Sequence, residues 1–272
     1  MTRVTRLSLL LTVLAVGCTI PPTYTPERAS AMIVDICRTD FKLDVNTQLI
    51  GQTMFAATRM PGFLRRLVEK GNLADQDSDN IGDLLMTTTQ ISLSADPPIQ
   101  FYVLRLSDPE EPGTELRYIT YLDDIRRLYA SALSEGEFFE RRIQDLKLRK
   151  DEPTMTDVWM TRGVTLGEFL AVQLAFRIKA LAAQEPALAE WGVEDCVGWF
   201  RNGTFSWTIA RRSATDHLLV EASWPPKVLE LIALVLHEYE FTDYQRVIFT
   251  DASANTTHEL TPAALSAYYK PH

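Results

Sequence analysis

Apolar positions recur along this chain at two spacings, and each spacing predicts an element. Residues 26–39 set Ala29, Ile33 and Ile36–Cys37 on one helical face, with Thr25 as N-cap and Pro26 in the first turn. Leu43–Ile50 and Gln52–Arg59 then read as two strands about a turn at Gly51. Asp79–Leu93 returns to the helical period, with Ile81, Leu84–Leu85 and Thr88 aligned. Ile99–Leu106 (IQFYVLRL) and Glu115–Tyr121 (ELRYITY) are rich in β-branched and aromatic residues. They flank a turn at Asp108–Gly113, which predicts a second hairpin.

The same order then repeats. Thr165-Leu166-Gly167-Glu168 is a capping box opening a helix to Ala183, with Leu166, Phe169–Leu170, Leu174, Ile178 and Leu181 as its stripe. Val193–Phe200 and Thr204–Arg211 flank Asn202-Gly203, the strongest short hairpin signal. Pro226–Glu240 is helical, Arg246–Thr250 and Thr257–Leu260 form a second hairpin, and Pro262–Tyr269 closes as a short helix. Between the halves, Ser134-Glu135-Gly136-Glu137 caps a charged helix extending to Arg149, and the polar run Lys150–Thr156 reads as a linker. The expected class is α+β: two similar helix–hairpin–helix–hairpin halves, 27–150 and 151–272, with helices packed on antiparallel sheets. Tandem units of this kind resemble, in order rather than in motif, the dual BON-domain lipoproteins of Gram-negative envelopes.

The first eighteen residues follow neither period. Arg3 and Arg6 precede an unbroken apolar or small run, Leu7–Val16, that ends at Gly17-Cys18. A basic start, an apolar stretch of about ten residues and a small-residue exit form an export signal. The run is too short for a bilayer span, which needs about twenty apolar residues. Leu14-Ala15-Val16-Gly17-Cys18 resembles the lipobox of bacterial lipoproteins, with Ala15 where that family prefers Leu. The resemblance implies a signal peptide over 1–17, a lipid (diacylglyceryl and palmitate) on Cys18, and a tether over 18–26. Thr19 after the cysteine implies the outer membrane, facing the periplasm. Ala15-Val16-Gly17 also reads as a site for the ordinary signal peptidase, and that alternative stays open.

Charge narrows the partners. Without Arg3 and Arg6 the mature chain has 25 basic and 36 acidic residues, a net charge of −11. That excludes a broad basic surface for nucleic acid, and equally for anionic lipid. With Cys18 modified, Cys37 and Cys196 remain; an oxidising envelope permits a disulfide between them, and the alternative is two buried small apolar residues.

Candidate chemistry is sparse. Asp75, Asp77, Asp79 and Asp83 stand at positions one, three, five and nine of an acidic run that suits calcium, a hard ion seeking six to eight oxygens. The run resembles EF-hand loops and, more closely, thrombospondin type 3 repeats, but position twelve is Met86 where an acid is usual. The competing reading is a solvated acidic loop at a helix start, where negative charge meets the positive dipole end. Leu236-His237-Glu238-Tyr239-Glu240 lacks the second histidine of a zinc motif and reads as the polar edge of a helix. The other histidines, His217, His258 and His272, form no motif. Phe63, Leu64, Leu67 and Val68 alternate with Arg65, Arg66, Glu69 and Lys70 as an amphipathic connector, packed on its own sheet or dipping into a membrane surface. Nucleophile-elbow, Walker and dinucleotide-binding motifs are missing.

These features point to a membrane-anchored envelope protein that binds a protein or lipid partner without catalysis. An envelope hydrolase with a dispersed site and a weak calcium-dependent binding module are the alternatives.

Overall fold

A computed structural model of the chain describes residues 24–70, 75–147, 155–185, 188, 191–211 and 224–270. The first half runs α1 (Pro26–Thr39), β1 (Val45–Ile50), β2 (Thr53–Arg59), α2 (Phe63–Lys70), α3 (Asp75–Leu93), β3 (Phe101–Ser107), β4 (Glu115–Tyr121), α4 (Leu122–Tyr129), α5 (Glu135–Arg141) and β5 (Ile143–Lys147). The second runs α6 (Met155–Arg162), α7 (Leu166–Gln184), β6 (Val193–Arg201), β7 (Thr204–Arg211), α8 (Pro226–Glu238), β8 (Arg246–Asp251), β9 (Thr256–Leu260) and α9 (Pro262–Ser266). The protein is α+β, and every predicted hairpin strand is present within a few residues.

Both sheets share one topology. Each is hairpin–crossover–hairpin, ordered β1-β2-β3-β4-β5 and β6-β7-β8-β9. The inner neighbours β2/β3 and β7/β8 are parallel, and every other pair is antiparallel. The sheets are therefore mixed, against the expectation of purely antiparallel ones. A helical crossover between the hairpins returns the chain to the same end of the sheet, and the next strand then runs parallel. Even the register agrees. Gln100 N–H donates to the Gln52 carbonyl at 2.8 Å, and Gln245 N–H donates to that of Gly203 at 2.7 Å, at matching places beside the hairpin turns.

The two halves are not independent bodies. One core lies between α1, α3 and the near face of the first sheet, with Ile33, Met54, Leu84, Tyr102 and Leu104. The other joins the far face of that sheet (Phe55, Phe101, Val103, Ile119, Ile143) to α7, α8 and the near face of the second sheet (Phe205, Trp207, Ile209, Phe249). Helix α7 thus lies between the sheets, and its residues 167–175 are buried without a break. That goes beyond the one-sided stripe its sequence suggested. Two glycines permit the approach. A Cβ on Gly198 would sit 2.0 Å from the Ala171 carbonyl oxygen, and one on Gly167 would sit 2.4 Å from the Phe200 ring. The Ala171 oxygen also accepts from the Trp207 indole at 2.9 Å.

Around Arg142 the expectation fails. The helix opened by Ser134 ends at Arg141, and residues 143–147 pair with β4 as a fifth strand. Ser134 Oγ does accept from Glu137 N–H at 3.2 Å, so the cap is as predicted and the length is not. Tertiary context overrides the local pattern: pairing satisfies the outer backbone of β4, and Ile143 joins the shared core. Helices α4 and α6 were also unforeseen. Helix α6 takes in the last two residues of the expected linker Lys150–Thr156, whose other residues lie outside the described ones, and it binds the first sheet, where Arg117 donates to Asp157 and to Glu115, each at 2.7 Å. Its Trp159 is fully buried.

Candidate functional site

Cys18 lies outside the described residues. Cys37 and Cys196 are free thiols, buried in different cores, so of the two readings it is the pair of buried small residues, and not the disulfide, that the structure has. Burial pushes the Cys37 thiol up to about 11 and Cys196 up to about 12, each helped by a nearby aspartate. Neither is a ready thiolate nucleophile at neutral pH.

The acidic run is the first turns of α3, which begins at Asp75, four residues before the expected start. On a helix, Asp75, Asp77, Asp79 and Asp83 step round the axis and do not wrap one ion, as a calcium loop requires. Asp77 is instead buried and held by Arg66, whose Nε and Nη2 each lie 2.8 Å from one of its oxygens. No group of three or more His, Cys, Asp or Glu that could hold a metal occurs among the described residues. The amphipathic connector is α2, with Phe63 and Leu64 buried in the first core. The carboxylate of Asp108 accepts from Gly62 N–H at 2.9 Å and Leu64 N–H at 3.1 Å at its start.

The end of α8 brings together what remains, on two sides. Toward the first half, Tyr239 and Glu238 enter a buried clasp with α4, α5 and α7. The Tyr239 hydroxyl donates to Asp124 at 2.6 Å, and Arg141 donates to Asp124 at 3.2 Å and to Glu238 at 2.7 Å. Arg141 also pairs with Glu137, and its guanidinium lies 5.0 Å over the Tyr239 ring. Gln173 of α7 donates to the Arg141 carbonyl at 2.6 Å and to the Tyr239 hydroxyl at 3.0 Å. Arg127 donates to the Glu238 carbonyl at 2.9 Å. Burial lifts Asp124 above the usual carboxylate range, against the pull of Tyr239 and Arg141. For Arg141, burial works against the charge but the surrounding acids prevail, so the cation is held more firmly than the anion it faces. With Asp124, Arg141, Gln173 and Tyr239 buried and Glu137 and Glu238 at its partly exposed edge, the clasp joins the halves.

Toward solvent, the same turn borders a groove of about 630 Å³ between α8 and α9. Helix α8 contributes Ala233, Leu236 and His237; the following turn contributes Glu240, Phe241 and Tyr244; α9 and the residues after it contribute Ala263, Leu265, Ser266 and Tyr269. The His237 and Tyr269 rings lie with centroids 4.1 Å apart and planes tilted by 37°. The turn is a Schellman motif: Phe241 N–H reaches the Leu236 carbonyl and Glu240 N–H that of His237, both at 2.9 Å. Glu240 occupies its left-handed position, with φ of 51°. Ser266, His237 and Glu240 share the groove, yet the Ser266 hydroxyl donates to the Ala263 carbonyl at 2.9 Å.

Sequence reasoning took His237–Glu240 for a helix edge and missed both sites. The clasp draws on Asp124, Arg141, Gln173 and Tyr239, which are far apart in the chain. The groove had one local signal, a helix running into His-Glu-Tyr-Glu-Phe with no glycine to end it. No family model, curated protein or solved structure matches the chain. Among the described residues no helix is long and apolar enough to cross a membrane.

Proposed function

We propose that this chain is a lipid-tethered protein of the bacterial envelope, held to the membrane through Cys18, whose folded part binds a segment of a partner protein in the groove between α8 and α9. The observation that carries the reading is the groove itself. It has an apolar floor of Ala233, Leu236 and Leu265, a rim of half-buried rings and a single carboxylate, and it opens to solvent. Grooves of this size and lining suit a few side chains of a peptide. The bonding of Ser266 away from His237 speaks against acyl transfer there, because a serine nucleophile needs its proton taken by the adjacent base. The lipobox-like Leu14–Cys18 and the acidic balance support a tethered factor that meets its partner beside the membrane.

Site-specific photocrosslinking in cells tests this reading. A crosslinker at Tyr244 in the groove is expected to capture one partner that a crosslinker at the exposed Met86 of α3 does not. Ala263→Trp, which fills the groove, is expected to abolish the product. Equal capture from both positions, or capture indifferent to Ala263→Trp, removes the groove from the function. Cys18→Ser is expected to release the protein from the membrane fraction and to lower the mass of its N-terminal peptide by the lipid.

A further inference from the structure

We infer that the partner segment presents an arginine or lysine about one helical turn beyond an aromatic side chain, and that its cation meets Glu240 at the lip of the groove. This rests on the docking role proposed above and adds the chemistry of what docks. The protein contains its own precedent. Helices α4 and α9 each follow directly on the last strand of their second hairpin, and Ile125 and Leu265, both buried, stand at the same step of each. In the first half α4 is covered by α5. Phe138 of α5 packs on the first core, and Arg141, three residues on, enters the carboxylate clasp over the Tyr239 ring. In the second half no described helix covers α9, and the groove lies along its side.

The groove repeats the chemistry that receives α5. It offers the rings of Phe241, Tyr244 and Tyr269, with Glu240 as its one carboxylate. That carboxylate makes no ion pair among the described residues. It also sits at the C-terminal end of α8, where the helix dipole favours a cation. A cation over an aromatic face beside a carboxylate is attracted by both. Position 240 reinforces the assignment. The left-handed turn there favours glycine, and a glutamate is kept at some cost in strain, as happens where a side chain is needed. The groove's carboxylate comes from the end of α8 alone, whereas in the clasp Asp124 of α4 joins Glu238 of α8 around Arg141, so the occupant's cation lies nearer the α8 side.

The test uses two labelled, alanine-based helical peptides, one with Phe and Arg three residues apart and one with Glu in place of that Arg. Each is titrated by fluorescence anisotropy with the full-length protein in non-ionic detergent. The Arg peptide is expected to bind about tenfold more tightly than the Glu peptide, and Glu240→Gly to remove that preference without lowering the melting temperature. Glu240→Arg is expected to reverse the preference. Equal affinity for both peptides, lost in Ala263→Trp, would overturn the cation assignment and leave docking intact. If neither peptide binds at millimolar protein, the cation assignment is overturned, and the crosslink from Tyr244 then decides separately whether the groove docks a partner at all.

Discussion

The two sheets share the topology and register of four strands, with β5 added at the edge of the first, and they differ in what lies on their far faces. Aligned through their hairpin turns, Phe55, Phe101, Val103 and Ile119 of the first sheet correspond to Ser206, Arg246, Ile248 and Glu259 of the second. The first set is buried in the shared core; the second is exposed or half-buried. One sheet therefore separates two helical layers, and among the described residues no helix covers the far face of the other. Along the strands the two sheets share, the difference resides in side chains on one face of three of them, which means the backbone plan sets the fold and the far face sets how the units stack. Helix junctions show the same independence. Where α1 meets β1, Ser30 and Thr47 hydroxyls lie 2.7 Å apart, while at the matching meeting of α7 and β6 the helix rests on Gly198.

Exchanging one matched pair of residues tests this most severely. Phe55→Ser removes a ring from the shared core and leaves a hydroxyl there, with an expected loss of about 4 kcal/mol. Ser206→Phe, at the corresponding place on the open face, is expected to change stability by no more than about 0.5 kcal/mol. Chemical denaturation of both variants measures the contrast, and similar losses would mean that the second sheet's far face is covered in solution.

Next comes the clasp, whose cation is supplied from within the chain by Arg141. Arg141→Met leaves Asp124 buried opposite no cation and is expected to cost about 3 kcal/mol. Pairing it with Asp124→Leu is expected to recover most of that loss, because the uncompensated charge is gone. Failure of the double variant to recover would show that the clasp holds the halves by shape rather than by charge.

Legibility in the sequence followed locality. Hairpin turns, caps and strand alternation are local, and the helix–hairpin–helix–hairpin order was read from them directly. The contrast between the sheets was written there too but not read: FYVLRL in β3 is nearly continuous in apolar residues, as a strand buried on both faces should be, while the matching RVIFTD of β8 alternates. Strand β5 was missed because its pairing with β4 overrides a charged helical pattern. The calcium reading of Asp75–Asp83 depended on a loop, and the helix signal of α3 extended further back than the caps indicated. The clasp has no local pattern, since its side chains lie up to about a hundred residues apart, and the groove shows only the glycine-free end of α8, since its other wall is the side of another helix.

Acid should weaken the junctions unequally. Burial opposes the charge on Glu168, but hydrogen bonds from Arg162 and Thr165 hold it below the ordinary carboxylate range. A lowered acid contributes stability above its unfolded pKa and loses it as pH falls through its folded one. Asp124, which is raised, behaves oppositely: its contribution is complete below the unfolded value and is lost as pH rises through the folded one. Melting curves in mildly acidic buffers should therefore show Glu168→Gln with a flatter acid limb than the wild type, after a loss of about 1 kcal/mol at neutral pH. Asp124→Asn should not flatten that limb. If it does, the clasp carboxylate is the acid-sensitive group, and the halves separate before α7 loosens at its start.

The smallest expected effect falls on the groove and separates folding from binding. At the left-handed position closing α8, Glu240→Gly relieves a strained backbone, while glycine adds freedom to the unfolded chain. The balance should be a gain of about 0.5 kcal/mol, read as a higher urea midpoint with an unchanged slope. Most surface positions would lose or break even on such a change, so a gain means the native glutamate is kept for something other than stability. A loss would mean instead that the Glu240 side chain supports the turn, and the groove's carboxylate would then be part of the fold that α8 needs in order to end.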